Sequence, residues 1–244
     1  MAMPRARRAA PGVRVIAGVA RGRRLAVPRG ERVRPTKDRV KAAVFSALNA
    51  RDLVRDAVVL DLYAGSGALG IEALSRGAAA ATFVERDRDA AAAIRANLAT
   101  CGFVATVVES DVARFLHTDT AGRAVRSRSE TVDLAFVDPP YDMSDDELRP
   151  VLAAAARRAP GGLIVVERPR RPHRPRHVTT ARPRLDRAAD LPPDSDASAD
   201  LLPDWRTSWT RTFGDTLVVF WTPAAADDES RDTPTRSPAR RGDG

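Results

Sequence analysis

The chain has 244 residues, 43% apolar and 30% charged, which is enough to bury a full core in one globular domain. Its formal net charge is +8 and its pI about 10.8, which point to a polyanionic partner. A lone cysteine, Cys101, excludes an intrachain disulfide and a cysteine metal cluster, and no apolar run approaches the ~18 residues that span a membrane.

The charge is unevenly placed. Residues 1–41 hold 13 Lys or Arg against Glu31 and Asp38, a net of +11, so the other 203 residues sum to −3. An Arg-rich base composition would spread such residues evenly, so this pattern favours a nucleic-acid-facing arm. The opening stretch has no apolar segment of the secretory kind, and a cytoplasmic bacterial protein is the simplest fit. Residues 1–12 and 223–244 lack the apolar content to offset their ordering entropy and are expected to be disordered tails. The expected division is a nucleic-acid-facing arm and helix over 13–50, then one larger domain over 51–222.

Residues 13–35 read as short strand-like pieces broken by Gly18, Gly22, Pro28 and Gly30. Thr36 is expected to cap a helix whose apolar face carries Val40, Val44, Phe45 and Leu48. Strands are expected at 57–63, 81–87, 105–111, within 132–141, and at 161–167, with helices at 67–77, 89–100 and 147–159. Pro150 is expected in the first turn of the last of these. Short β-branched runs alternating with helices predict an α/β doubly wound, Rossmann-like fold with a mostly parallel sheet. Residues 168–204 read as a long loop or insertion. Two further strands, 205–213 and 215–221, meet at Gly214-Asp215 and are expected to form a C-terminal antiparallel hairpin on the sheet edge. Cys101 follows an apolar-periodic stretch and reads as a small hydrophobe.

Two motifs carry chemistry. Gly65, Gly67 and Gly70 form G-x-G-x-x-G between the first strand and its helix, where glycine permits a tight turn and close approach of a ligand. Glu85 ends the second strand, where a carboxylate accepts ribose hydroxyls, and Asp111 ends the third, within reach of an adenine amino group. A dinucleotide would place a pyrophosphate at this loop, but Asp61 stands just before it. A carboxylate repels pyrophosphate and attracts a methionine ammonium or sulfonium, which favours S-adenosylmethionine over NAD.

The second motif is Asp138-Pro139-Pro140-Tyr141, directly after the fourth strand and so at the ligand end of the sheet. The prolines fix the backbone and leave carbonyls without competing N–H groups. The Asp138 carboxylate and Pro139 carbonyl can hold both hydrogens of a base amino group and aim its lone pair at a methyl. Tyr141 offers a face on which a flipped base stacks.

These segments resemble the RsmD family of 16S ribosomal RNA guanine-N2 methyltransferases. The resemblance rests on D-L-Y-A-G-S-G-A-L-G, E-A-L-S-R-G-A and F-V-D-P-P-Y. It is sharpened by I-A-G-V-A-R-G-R-R-L (16–25), R-P-T-K-D-R-V (34–40) and R-T-F-G-D-T (211–216), and covers roughly 13–167 and 205–221. It implies methyl transfer from S-adenosylmethionine to N2 of a guanine, guanine 966, in 16S rRNA of an assembled or nearly assembled small subunit, by a monomeric enzyme. Asp138, Pro139, Pro140 and Tyr141 would carry catalysis and base placement. Asp61, Tyr63, Ala64, Gly65, Ser66, Gly67, Gly70, Glu85, Arg86, Asp111 and Val112 would line the cofactor site. Arg21, Arg23, Arg24, Arg34, Thr36, Lys37 and Arg39 would face the RNA. Arg170, Arg171, Arg174 and Arg176 read as a solvated run. Three other readings share parts of the pattern. A DNA amino methyltransferase would bring a separate target-recognition domain. A protein glutamine methyltransferase would present Asn in place of Asp138. An RNA-binding assembly factor would not require the intact Asp138 and glycine loop.

Overall fold

The computed structural model describes residues 13–28, 35–118, 131–169 and 205–223, with the side chains of 35–37, 205–208 and 223 excepted. The two expected tails, apart from Pro223, and the segment 170–204 lie outside the described residues. The elements run α1 (Pro35–Asn49), β1 (Val58–Leu62), α2 (Ala68–Ser75), β2 (Ala80–Glu85), α3 (Arg88–Cys101), β3 (Thr106–Glu109), α4 (Val112–His117), β4 (Leu134–Val137), α5 (Asp145–Arg158), β5 (Leu163–Pro169), β6 (Trp205–Phe213) and β7 (Thr216–Pro223). No helix among the described residues is long and apolar enough to cross a membrane.

The seven strands lie in the order β3-β2-β1-β4-β5-β7-β6. The first five are parallel, and β7 joins β5 antiparallel with β6 outside it. The fold expectation is therefore met, including the hairpin at Gly214. Strand order reverses between β1 and β4, which opens a crevice beyond their carboxyl ends.

Side chains alternate across each strand, and the alternation divides the core in two. Val59, Phe83, Leu134, Phe136, Leu163 and Val165 pack under α1, α2 and α3. Leu60, Leu62, Val84, Ala135, Val137, Ile164 and Val166 pack under α4 and α5. The predicted apolar face of α1 is buried in full, and Phe45 meets Phe136 with ring centroids 5.6 Å apart. At the sheet edge Trp209 stacks on Phe220 at 4.3 Å, with the Arg51 guanidinium over its ring.

The structure corrects several boundaries. Pro35, not Thr36, opens α1, because proline suits the first helical position, where its missing N–H has no partner to lose. Asp111 does not extend the third strand; it caps α4, a helix the sequence reading lacked. Ser144 and Glu147 form a reciprocal capping box that starts α5 at Asp145. Pro150 therefore falls in the second turn, not the first. Residue 168 belongs to β5 and not to the following loop.

The N-terminal segment packs against elements that follow residue 50. Val13, Val15, Ala20 and Leu25 join the same core cluster as α1, α2 and α3. Glu72 of α2 is fully buried and accepts from the Ile16 and Ala17 amides at 2.7 and 3.0 Å. It also pairs with Arg76 at 2.7 Å and faces Lys41 of α1 at 3.9 Å. Ser75 receives the Ala20 amide and donates to the Ala17 carbonyl. Gly18 (φ 82) lies so close to Ser75 that an added Cβ would sit 1.7 Å from its carbonyl oxygen. Asn97 of α3 brackets Ala26 from both sides, accepting its amide and donating to its carbonyl.

Removing Glu72 takes the acceptor from the Ile16 and Ala17 amides and from Arg76, and one of two facing carboxylates from Lys41. Glu72→Ala should cost about 3–5 kcal/mol, read as a lower urea-unfolding midpoint. A loss below about 1 kcal/mol would show that the N-terminal segment is held by its apolar contacts alone.

Candidate active site

The crevice at the switch point is a cavity of about 410 Å³. The β1–α2 loop supplies Asp61, Tyr63, Ala64, Gly65 and Ser66. The end of β2 supplies Glu85 and Arg86, and the start of α4 supplies Asp111 and Val112. Asp138, Pro139, Pro140 and Tyr141 form the wall after β4, Glu167 the wall after β5, and Asp38 and Lys41 the wall from α1.

Most of the residues expected around the cofactor loop therefore share one cavity, but two of its glycines do not. Gly67 is left-handed (φ 76) and starts α2, while a Cβ on Gly70 would stand 2.3 Å from the Phe83 ring. Neither lines the cavity. Gly70 lets α2 sit close on the sheet at Phe83, Gly67 turns the chain into α2 beside Ile94 of α3, and Gly65 (φ 53) lines the cavity.

Three carboxylates organise this half. Glu85 accepts from the Gly65 amide through Oε2 and from the Asp87 amide through Oε1, both at 2.8 Å. It fixes the loop before any ligand arrives, and each oxygen retains acceptor capacity. Asp111 Oδ1 accepts from the Arg114 amide at 3.0 Å. Asp61 is 1% exposed, and its Oδ2 accepts from the Gly70 amide at 2.8 Å. Burial pushes Asp61 up to about 8; the Gly70 hydrogen bond opposes this, and Asp138 and Glu85 reinforce it. Tyr63 takes the left-handed conformation (φ 58), and burial pushes its phenol up to about 12. Its hydroxyl reaches the Met143 sulfur at 3.8 Å, linking the cofactor loop to the loop after β4.

In that second loop the Pro140 carbonyl accepts from the Met143 amide at 3.0 Å, closing a turn. Only the Pro139 carbonyl remains as the expected backbone acceptor of the pair. Tyr141 is 43% exposed and stands on the rim of the cavity. Arg168 had no role in the sequence reading. Its guanidinium is buried and donates to the Met143 carbonyl at 3.0 Å and to Asp145 at 2.8 Å. It ties the loop to the start of α5. Its signal was the strand pattern running on past Glu167.

On the basic side, Arg21, Arg23, Arg24 and Arg39 are exposed. Arg34 lies outside the described residues, as do the side chains of Thr36 and Lys37. The sequence reading also passed over Asp38 and Lys41 as cavity residues. Lys41 is 4% exposed and donates to the Arg14 carbonyl at 2.6 Å. Burial lowers its pKa, with Glu72 and Asp38 acting against that.

Asp61 yields a pH test. Its folded pKa lies above the ordinary 3.8, so the stability it contributes is full below about pH 4 and is lost as pH rises toward about 8. Asp61→Asn keeps an acceptor for Gly70 and cannot ionise. The variant should lose less stability than the native chain between pH 5 and pH 8.5 in urea titrations. Equal losses would mean that Asp61 is already ionised at low pH.

The family described as "Conserved hypothetical protein 95" matches residues 13–188. The chain is 42% identical over 130 residues to the Escherichia coli (strain K12) protein named ribosomal RNA small subunit methyltransferase D, a match covering 53% of this chain and 60% of that protein. The solved structure of a putative methyltransferase, yhhF from Escherichia coli, superposes with a TM-score of 0.61 at 31% identity, over 87% of this chain and 98% of that one. Magnesium protoporphyrin IX methyltransferase from Synechocystis PCC 6803, solved with bound SAM, shares the fold alone (TM-score 0.53, 12% identity, 79% and 86% coverage). A strand reversal that opens between Asp61 and Asp138, a class I methyltransferase fold, and a match from the N-terminal segment through β5 agree: the chain belongs to the RsmD family.

Proposed function

We propose that the protein transfers a methyl group from S-adenosylmethionine to the exocyclic N2 of a guanine in 16S ribosomal RNA, guanine 966 by family resemblance. The observation that carries this is the sharing of one cavity by Asp61 and Asp138. β1 and β4 are adjacent and parallel, with Leu62 opposite Val137, so Asp138 stands beside Tyr63. Donor and acceptor loops thus meet at one point.

The residues fit the cofactor. A cavity of about 410 Å³ is of small-molecule size. Its acidic lining suits a ligand bearing a sulfonium, an ammonium and hydroxyls, and opposes a pyrophosphate. A cation beside Asp61 also offsets the cost of ionising a buried carboxylate. Asp61, Gly65, Glu85 and Asp111 would hold the cofactor, which supplies an activated methyl when bound.

The protein's part is positioning. A base amino nitrogen is a weak nucleophile because its lone pair is delocalised into the ring. Asp138 and the Pro139 carbonyl accept its two hydrogens, Tyr141 stacks the base, and Arg168 holds the loop that carries them. As the N–C bond forms, positive charge grows on nitrogen and Asp138 offsets it. The nitrogen then loses one proton, and Asp138 is placed to receive it. Arg21, Arg23, Arg24, Arg34, Lys37 and Arg39 would contact phosphates of the small-subunit RNA or its late precursor in the cytoplasm, fixing register while the cavity reads the base. The enzyme would act as a monomer.

Single-turnover methylation of small subunits at saturating cofactor tests this. Activity should fall in the order Tyr141→Phe, Tyr141→Ala, Asp138→Ala. Asp138→Ala should lose about 100–1,000-fold or more while cofactor affinity by calorimetry stays within about twofold. Near-native rates for Asp138→Ala would show that another group holds the amino hydrogens.

A further inference from the structure

We infer that Glu167 is the residue that selects guanine, by accepting the ring N1–H that lies beside the reacting amino group. The inference rests on the guanine-N2 reading above and deepens it.

The argument starts from strand parity. On the face covered by α1, the β4 row is Leu134, Phe136 and then Asp138, and the β5 row is Leu163, Val165 and then Glu167. Val137 pairs with Val166, so Asp138 and Glu167 are neighbours across two parallel strands about 4.8 Å apart. Both line the cavity. Arg168, next in the chain, falls on the opposite face and is engaged by Asp145 and the Met143 carbonyl. An apolar residue at 167 would continue the row and pack more cheaply. Asp138 and Glu167 thus present two neighbouring carboxylates to the cavity, an arrangement that suits a ligand with adjacent hydrogen-bond donors.

Base chemistry then names the ligand. In adenine and cytosine the ring nitrogen beside the amino group is an acceptor, and its lone pair repels a carboxylate. In guanine the ring nitrogen beside N2 carries a hydrogen. Of these three bases, guanine alone presents two adjacent donor groups, N1–H and the N2 amino group. Asp138 serves the amino group that any D-P-P-Y amino methyltransferase must hold. Glu167, one strand over, serves the neighbouring donor and thereby rejects adenine and cytosine.

The test compares small subunits assembled on RNA carrying guanine or 2-aminopurine at the target position. 2-Aminopurine keeps the amino group but has an acceptor at N1. The native enzyme should favour guanine in kcat/KM by about 100-fold or more, because the wrong base leaves a carboxylate facing a lone pair. Glu167→Gln can donate to that acceptor. It should lower the guanine rate by about 10–100-fold, leave the 2-aminopurine rate unchanged or raised, and so narrow the preference to within about tenfold. Its cofactor affinity and melting temperature should match the native chain. Equal losses on both bases, or no loss on either, would overturn the assignment. So would a native preference below tenfold, a result that does not depend on the variant folding. A native enzyme that binds S-adenosylmethionine yet methylates neither substrate would sink the guanine-N2 reading itself. One that methylates both equally would leave that reading standing and remove only Glu167 from it.

Discussion

The alternation of side chains along a parallel strand sets the terms for this molecule. On one face of the sheet, each of four adjacent strands runs through apolar residues and ends in a carboxylate. The residues are Phe83 then Glu85 on β2, Val59 then Asp61 on β1, Phe136 then Asp138 on β4, and Val165 then Glu167 on β5. Because the strands are parallel, all four acids emerge at the same edge, where the strand order reverses. The apolar part of each row anchors the sheet under α1, α2 and α3. The same packing that stabilises the fold therefore delivers a line of negative charge to one cavity. Concentrating charge in this way is unfavourable without a ligand: burial pushes Asp61 up to about 8, and Asp138 and Glu85 add to the push. A cationic ligand and a set of hydrogen-bond donors would relieve it from opposite ends, which is the logic of the site as proposed, for an activated methyl donor and an amino-bearing base.

An acidic cavity would repel the ribosomal RNA proposed as its substrate if nothing opposed it. The N-terminal segment supplies the opposition. Glu72 binds it to α2, so exposed Arg21, Arg23 and Arg24 are carried by a segment bonded into the body of the domain. The buried Lys41, from α1, brings one cation to the cavity wall itself. Net charge thus follows position in the chain: basic over the first 41 residues, slightly acidic over the remainder. The segment is both a basic surface and part of the core, so its removal would not be a clean deletion of the proposed RNA contacts.

Much of this was legible in the sequence because short β-branched strands, glycine turns and D-P-P-Y are local signals. Asp61, Glu85, Asp111, Asp138 and Tyr141 could be placed at strand ends by pattern alone, and the structure brings them together. What was not legible depended on contacts distant in sequence. Gly67 and Gly70 read as parts of the cofactor loop, and their close approach to Ile94 and Phe83 depends on residues distant in sequence. Arg168 looked like the start of a loop, and its partners Met143 and Asp145 lie 25 and 23 residues away. Asp38 and Lys41 looked like part of a basic helix start until α1 was seen to cross the cavity. α4 was within reach: Val112, Phe115 and Leu116 have helical spacing behind the Asp111 cap, but six residues make a weak period.

The account stands or falls on what is methylated. Mass mapping of 16S ribosomal RNA from cells with and without this gene addresses that directly. The account predicts that one guanine N2-methyl group disappears when the gene is absent and returns with the native chain, but not with Asp138→Ala. An unchanged methylation map, or loss of a methyl from any atom other than a guanine N2, would contradict it.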